Sequence, residues 1–346
     1  MFGRTACAAL AALLSSLVGC LLTTSLDDLE GGAGGMSAAS TSAVTTTTGG
    51  AAGSTTSSGG SSTMPTVLVD GEEGPDAIAV DGEDVYFSTK DGFIKRVPID
   101  GGTAGIVASG HYAVPAIALS DQLMWWSVYN APPVGAIWRA EKSGANAQVL
   151  VSDQNLPTEV VYTGAHIYWS TTGAGGQIRR ADPLTGAGVE VAEDSEAFFF
   201  SIDGDWLFFT MNYTAPGPTG QVWGVQLSPP YTRVDIAQGL FKPAAIAANS
   251  TQVVWAQEGD GLIASASPPA YSVSTVSTGG TAPRDVALDG GNIYWTDPGG
   301  GRVMKVMNGD ETVLAAGDGT PRNIAVDATS VYWTDNANGM VLKAPK

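Results

Sequence analysis

Tyr294-Trp295-Thr296-Asp297, followed by Gly301-Arg302-Val303, and Tyr332-Trp333-Thr334-Asp335, followed by Gly339-Met340-Val341, are two copies of one pattern. Each has an aromatic pair, a hydroxyl, a carboxylate and then a glycine that opens Gly-x-Val. Outward from these copies the aromatic slot recurs at Tyr86-Phe87, Trp125-Trp126, Tyr168-Trp169, Phe208-Phe209 and Val254-Trp255. Successive spacings are 39, 43, 40, 46, 40 and 38 residues. Eleven residues before the first member stands Pro75, Pro157, Pro243, Pro283 or Pro321, with Pro115 one place nearer and Ala197 in the fourth copy. After each pair a glycine begins Gly-x-Ile/Val, from Gly92/Ile94 and Gly135/Ile137 to Gly339/Val341. A period of about 40 residues marks a repeat architecture.

Each unit reads as short strands of period two. In Ile78-Ala79-Val80-Asp81, Val286-Ala287-Leu288-Asp289 and Ile324-Ala325-Val326-Asp327, large apolar residues flank a small one and a turn residue follows. A small side chain recurring there suits first strands that converge on an axis. Four strands per unit make the blade of a β-propeller. The last unit ends at Lys346 with three strands, and Thr66-Val67-Leu68-Val69 has the character of the missing fourth. The expected fold is therefore all-β: a seven-bladed β-propeller of four-stranded blades over residues 66–346, its ring closed by an N-terminal strand, which removes exposed sheet edges.

The two complete tetrads, with Gly301 to Lys305 and Gly339 to Lys343, resemble the YWTD repeat of low-density-lipoprotein-receptor-type propellers. Tyr168-Trp169-Ser170-Thr171 and Tyr86-Phe87-Ser88-Thr89 are degenerate copies. That receptor family is usually six-bladed, so a count of seven places the resemblance in a broader bacterial YWTD-like and NHL-like group, here carried on a bacterial lipoprotein. The resemblance implies binding of proteins, peptides or glycans, with a minority of enzymes.

The 346 residues carry 16 Lys+Arg against 34 Asp+Glu, a formal charge of −18, which excludes an ordinary nucleic-acid binder because phosphate neutralisation needs clustered cations. Residues 1–19 read as a lipoprotein signal peptide: Arg4, an apolar run from Ala6 to Leu17, and Leu17-Val18-Gly19-Cys20, which resembles the lipobox. The run is too short to span a bilayer. Cys20 is the expected lipidation site, and with Cys7 removed no thiol is left for a disulfide or for catalysis. Attachment then rests on acyl chains, since an acidic body is not drawn to anionic headgroups. Leu21, rather than Asp, follows the cysteine, which by the enteric sorting rule points to the outer membrane of a bacterial cell envelope. Residues 20–65, rich in Gly, Ala, Ser and Thr, form a disordered tether with an expected span of roughly 35–40 Å.

Chemistry is sparse. Asp297 and Asp335 could be read as calcium ligands or acids, but they occupy a repeat-defined slot, which favours hydrogen-bond acceptors that tie strands or blades. Arg96, Arg139, Arg180, Lys305 and Lys343 share another repeat slot, which argues for structure. His111 and His166, 55 residues apart, make no metal-ligand spacing and read as solvated loop residues. No nucleophile elbow, phosphate loop or dinucleotide fingerprint occurs. No cofactor, metal or catalytic residue is expected, and an enzyme is disfavoured.

Variation between units is the better guide. The loops into each first strand and between second and third strands share one face. Two of the latter are long and hold Tyr129 and Asn130, and Asn212 and Tyr213. The positions after the repeat proline add Asp76, Glu159, Arg284, Asp285, Arg322 and Asn323. Tyr, Asn and Arg on a rigid rim suit protein or glycan recognition. The expectation is a lipid-anchored binding or scaffolding module with a protein or glycan partner at the cell envelope. The alternative is a metal-dependent hydrolase or lyase resembling gluconolactonases, for which Glu159, Asp285 and Asn323 would have to converge.

Overall fold

The computed structural model describes residues 64–130, 134–172, 176–193, 197–211 and 217–346. The lipobox, Cys20, the tether as far as residue 63, Asn212 and Tyr213 lie outside the described residues. The described strands form seven four-stranded antiparallel sheets; six are meanders from innermost to outermost strand, and the seventh combines three consecutive strands with one from the N-terminal side.

Blade 1 runs Ile78–Val80, Asp84–Ser88, Phe93–Pro98 and Gly105–Ser109, and blade 2 Ile117–Leu119, Leu123–Val128, Ala136–Glu141 and Gln148–Val151. Blade 3 is Pro157–Tyr162, Ile167–Thr171, Gln177–Ala181 and Glu190–Glu193, and blade 4 is Ala197–Asp203, Trp206–Met211, Gly220–Gln226 and Arg233–Leu240. Blade 5 is Pro243–Asn249, Gln252–Gln257, Leu262–Ser267 and Ser272–Ser277, and blade 6 is Val286–Asp289, Asn292–Asp297, Arg302–Met307 and Asp310–Ala316. Blade 7 contributes Pro321–Val326, Ser330–Asp335 and Met340–Pro345, and its outermost strand is Thr66–Val69. Thr66 pairs with Lys343 and Val67 with Leu342, so the expected closure is present.

Repetition dictates the packing. A single blade cannot bury both of its faces, and the hydrophobic clusters accordingly fall one to each seam between neighbours. Phe87 of blade 1, Tyr332 and Val341 of blade 7 and Leu68 of the closing strand share one cluster. Trp126 of blade 2 packs with Tyr86 and Ile94 of blade 1 in another. Trp126, Trp169, Trp255 and Trp295, the second members of their pairs, are fully buried, each giving roughly 2–3 kcal/mol of transfer free energy.

The hydroxyl of the tetrad acts as a latch. Thr334 Oγ1 accepts from the Asn323 amide of its own blade (3.3 Å) and donates to the Asp76 carbonyl of blade 1 (2.8 Å). Thr296 does the same between Asp285 N (3.1 Å) and Arg322 O (2.6 Å). Ser88 and Ser170 repeat the arrangement, and Ser127 donates across its seam to Thr158 O. Blade 5 has Ala256 in this slot, and there a direct backbone bond from Ala245 N to Arg284 O (3.3 Å) crosses the seam instead.

The carboxylates behave as acceptors. Asp297 receives the amides of Thr281, Ala282 and Gly300 together with Arg302 at 2.6 Å, and Asp335 receives those of Thr320 and Asn338. Both therefore hold the connection that leads into their own blade. The repeat glycine is required by close approach: at Gly301 (φ +61°) a Cβ would lie 2.2 Å from the Gly317 carbonyl. Of the repeat-slot cations, Arg96 pairs with Asp84, Arg180 with Glu190 and Lys343 with Asp100, while Arg139 donates to the Leu184 carbonyl.

Candidate functional site

Thr66 pairs near the carboxyl end of the last strand, so the closing strand enters the ring on the face opposite the loops that precede each innermost strand. Those loops surround one mouth of the channel. Residues two places after the repeat proline slot form a tier there: Ala77, Ala116, Glu159, Phe199, Ala245, Asp285 and Asn323. Two residues further along lies a second tier of small side chains, Ala79, Ala118, Ser201, Ala247, Ala287 and Ala325, with Val161 the exception. Ala77, Ala116 and Ala245 are buried in the clusters where neighbouring blades pack, so the slot is a packing position that blades 3, 4, 6 and 7 fill otherwise.

The structure gathers the predicted polar positions at this mouth in two groups. Asp76 Oδ1 meets Arg322 Nε at 3.3 Å and Asn323 Nδ2 at 3.4 Å across the seam where blade 7 meets blade 1. Arg322 is buried, so this group helps to hold the ring closed. Asp285 reaches from blade 6 to blade 7: Oδ2 accepts from Ile324 N (2.8 Å), and Oδ1 accepts from Val286 N (2.9 Å). These bonds and the charge of Arg284 favour its carboxylate, yet burial prevails and pushes it up to about 6, with Asp76 adding to the rise.

Glu159 belongs to blade 3, across the ring from blade 6. Its backbone amide donates to Ser170 Oγ (3.1 Å), and its carboxyl receives the Val160 amide. Burial first, then the negative charge of Asp285, push that carboxyl up to about 8, against the single amide bond. The Glu159 carboxyl is thus held further toward its protonated form than that of Asp285, whose charge reaches it. Among the described residues no cation is paired with Glu159, and no group of three His, Cys, Asp or Glu side chains is arranged to hold a metal ion.

The rim departs from expectation in detail. Tyr129 is half-buried, its backbone amide fixed on Ala113 O (2.8 Å), whereas Asn130 is exposed. The prominent aromatic nearby is Tyr112, 63% exposed and laid over Gly92, which the repeat pattern did not single out. His111 is not a solvated loop residue. It is buried between Trp126 (5.2 Å) and Trp138 (4.5 Å), where desolvation lowers its basicity. The indoles that flank it are distant in sequence, so local pattern could not show them. His166 is elsewhere, against Tyr168. Phe199 was also missed, although it occupies the repeat slot of Glu159 and Asp285. Away from the mouth, a groove of about 500 Å³ between blades 3 and 4 is lined by Arg180, Glu190, Tyr231 and Arg233, and an Arg233–Glu193 ion pair of 2.7 Å spans the two blades there.

Residues 62–97 match a family model described as strictosidine synthase-like, N-terminal, a stretch that holds the closing strand and the first three strands of blade 1. No curated protein matches the chain in sequence. Among solved structures, virginiamycin B lyase from Staphylococcus aureus is similar at TM-score 0.66 and 14% identity, over 82% of this chain and 98% of that one. A chain of a nidogen/laminin complex is similar at TM-score 0.53 and 18% identity, over 67% and 92%. The WD40 β-propeller domain of Doa1 gives 0.61 and 10%, over 81% and 95%. At such identities the likeness is one of fold, and it joins the blade count in identifying the chain as a β-propeller with YWTD-like repeats.

Proposed function

We propose that the protein is a lipid-anchored binding module of the bacterial cell envelope that docks a protein partner at the channel mouth. The observation that carries this reading is the break in the repeat at one tier. Three of the seven equivalent slots hold a buried alanine, whereas Glu159, Asp285 and Asn323 put hydrogen-bonding side chains there, beside the loops on the face opposite the entry of the closing strand. Burying polar groups there has a cost that folding alone does not require of every blade. The rim supplies Tyr112, Tyr129 and Asn130 beside the mouth, the residue types that anchor recognition surfaces. Among the propellers of similar fold, nidogen is seen in complex with a protein, laminin. Lipidation at Cys20 and the tether would moor the module while leaving its head free to reach a partner.

Chemical crosslinking in intact cells, followed by capture of the full chain, tests the docking. A partner held by the wild type and lost from a Tyr112→Ala/Asn130→Ala double variant supports it. Undiminished retention refutes the rim. The enzyme alternative, which requires Glu159, Asp285 and Asn323 to converge, draws its support from the charge of Asp285 felt at Glu159 and from the lyase of similar fold. Stoichiometric calcium or zinc in the purified protein would favour its metal-dependent form.

A further inference from the structure

We propose that the groove between blades 3 and 4 binds a neutral saccharide, at a site separate from the docking mouth. It opens where the outermost strand of blade 3, Glu190–Glu193, meets the hairpin that joins the third and fourth strands of blade 4, and its volume is about 500 Å³. Blade 4 is a meander entered from the mouth side, so that hairpin lies on the opposite face.

Two hairpins of nearly the same sequence show what sets this place apart. Ser228-Pro229-Pro230-Tyr231 in blade 4 and Ser267-Pro268-Pro269-Ala270-Tyr271 in blade 5 both turn the third strand into the fourth, and each tyrosine has a positive φ, +57° and +49°. Tyr271 turns inward onto Trp206 and Phe208, with ring centroids 6.5 and 6.2 Å away. Tyr231 is 62% exposed, has no ring partner among the described residues, and lines the groove instead. Packing accounts for the first ring and not for the second.

The polar lining is held in place and has bonding capacity to spare. Arg233 lies over the Trp223 ring at 4.5 Å, and its Nη1 is anchored on the buried Glu193 carboxylate at 2.7 Å. Arg180 gives Nε and Nη2 to one oxygen of Glu190, at 3.0 and 2.8 Å. The other Glu190 oxygen, the Gln226 side-chain amide and the remaining Arg233 N–H groups have no partner among the described residues. Planar side chains with free donors and acceptors match the neighbouring hydroxyls of a sugar, and an exposed tyrosine ring matches the C–H face of a pyranose. Charge selects among small ligands. Each arginine is neutralised by its own glutamate, so an anion would have to compete with a carboxylate and a cation with a guanidinium. An uncharged polyol keeps both pairs and uses the bonds they leave over.

The test titrates the full chain at pH 7 with cellobiose and with N,N′-diacetylchitobiose, and with glucuronate and glucosamine as charged counterparts. Saturable binding of either neutral sugar, upfield NMR shifts of its ring C–H protons, and an affinity weaker by about fivefold or more in Tyr231→Asn support the proposal. Asparagine tolerates positive φ, so this variant keeps the turn and loses the ring. The upfield shifts on the wild type serve the same purpose should the variant fail to fold. Absence of binding by both neutral sugars, equal affinity in Tyr231→Asn, or tighter binding of glucuronate or glucosamine than of the neutral sugars overturns it.

Discussion

Thr334→Val is the sharpest test of the latch. Thr334 is fully buried, and its hydroxyl bridges Asn323 N at 3.3 Å and Asp76 O at 2.8 Å across the closing seam. Valine fills the same volume, so no cavity opens, but a buried donor and a buried acceptor each lose a partner. At about 1–3 kcal/mol for each group left unsatisfied, and with the longer bond counted low, the loss is roughly 2–4 kcal/mol. For a domain of this size that lowers Tm by roughly 3–7 °C. Differential scanning calorimetry reads the shift. Ala256→Ser is the control, because the seam between blades 5 and 6 already has its backbone bond from Ala245 N to Arg284 O, and an added hydroxyl there has nothing left to satisfy. A Thr334→Val protein that melts with the wild type, or an Ala256→Ser protein stabilised as much as Thr334→Val is weakened, would refute the latch.

Deleting Thr66–Val69 removes the outermost strand of blade 7 and takes Leu68 from the closing cluster, so Tm should fall steeply, by the equivalent of roughly 5 kcal/mol or more; an unchanged melt would contradict closure. Glu159 binds its proton more tightly folded than unfolded, its carboxyl moving from an ordinary 4.5 to about 8. In that window the native state holds more protons, so stability should decline as pH rises through it and the penalty is complete above 8. Urea unfolding across pH 5–9 should show that decline flattened in Glu159→Gln. Gly301→Ala should be markedly destabilised, since its Cβ would meet the Gly317 carbonyl at 2.2 Å with φ at +61°; a wild-type melting curve would deny the close approach. Cys20→Ser should move the protein from the membrane to the soluble fraction of cells, read by immunoblot, and persistence in the membrane would refute the lipid anchor.

Architecture was legible because each blade solves the same packing problem with the same residues. The aromatic pair, the small residue on the first strand and the glycine of the third each answer a contact that recurs at every seam. Even the tetrad carboxylates, Asp297 and Asp335, could be read as structural acceptors from their periodic position, and they do cap the connections into their own blades. What could not be read was anything set by neighbours remote in sequence. His111 looked like a loop residue because Trp126 and Trp138 reach it only after the blade folds. Tyr129 looked exposed for the same reason, since its depth depends on the neighbouring loop, where its amide meets Ala113.

The candidate site follows from the same logic in reverse. A slot filled by alanine in three blades carries Glu159, Phe199, Asp285 and Asn323 in the other four, and a periodic scaffold has no packing reason to treat equivalent positions so differently. Asp285 and Asn323 still contribute to the seams, through Ile324 N and Asp76. Among the described residues the Glu159 carboxyl has no bond across a seam, and the burial that raises it opposes the fold at every pH above its ordinary range. Glutamine at this slot would remove the like-charge repulsion with Asp285 and retain the acceptor for Val160. A Glu159→Gln protein more stable than the wild type at pH 9, read by urea unfolding, would therefore show that the ring does not need this carboxyl, and equal stability would refute the penalty assigned to its burial.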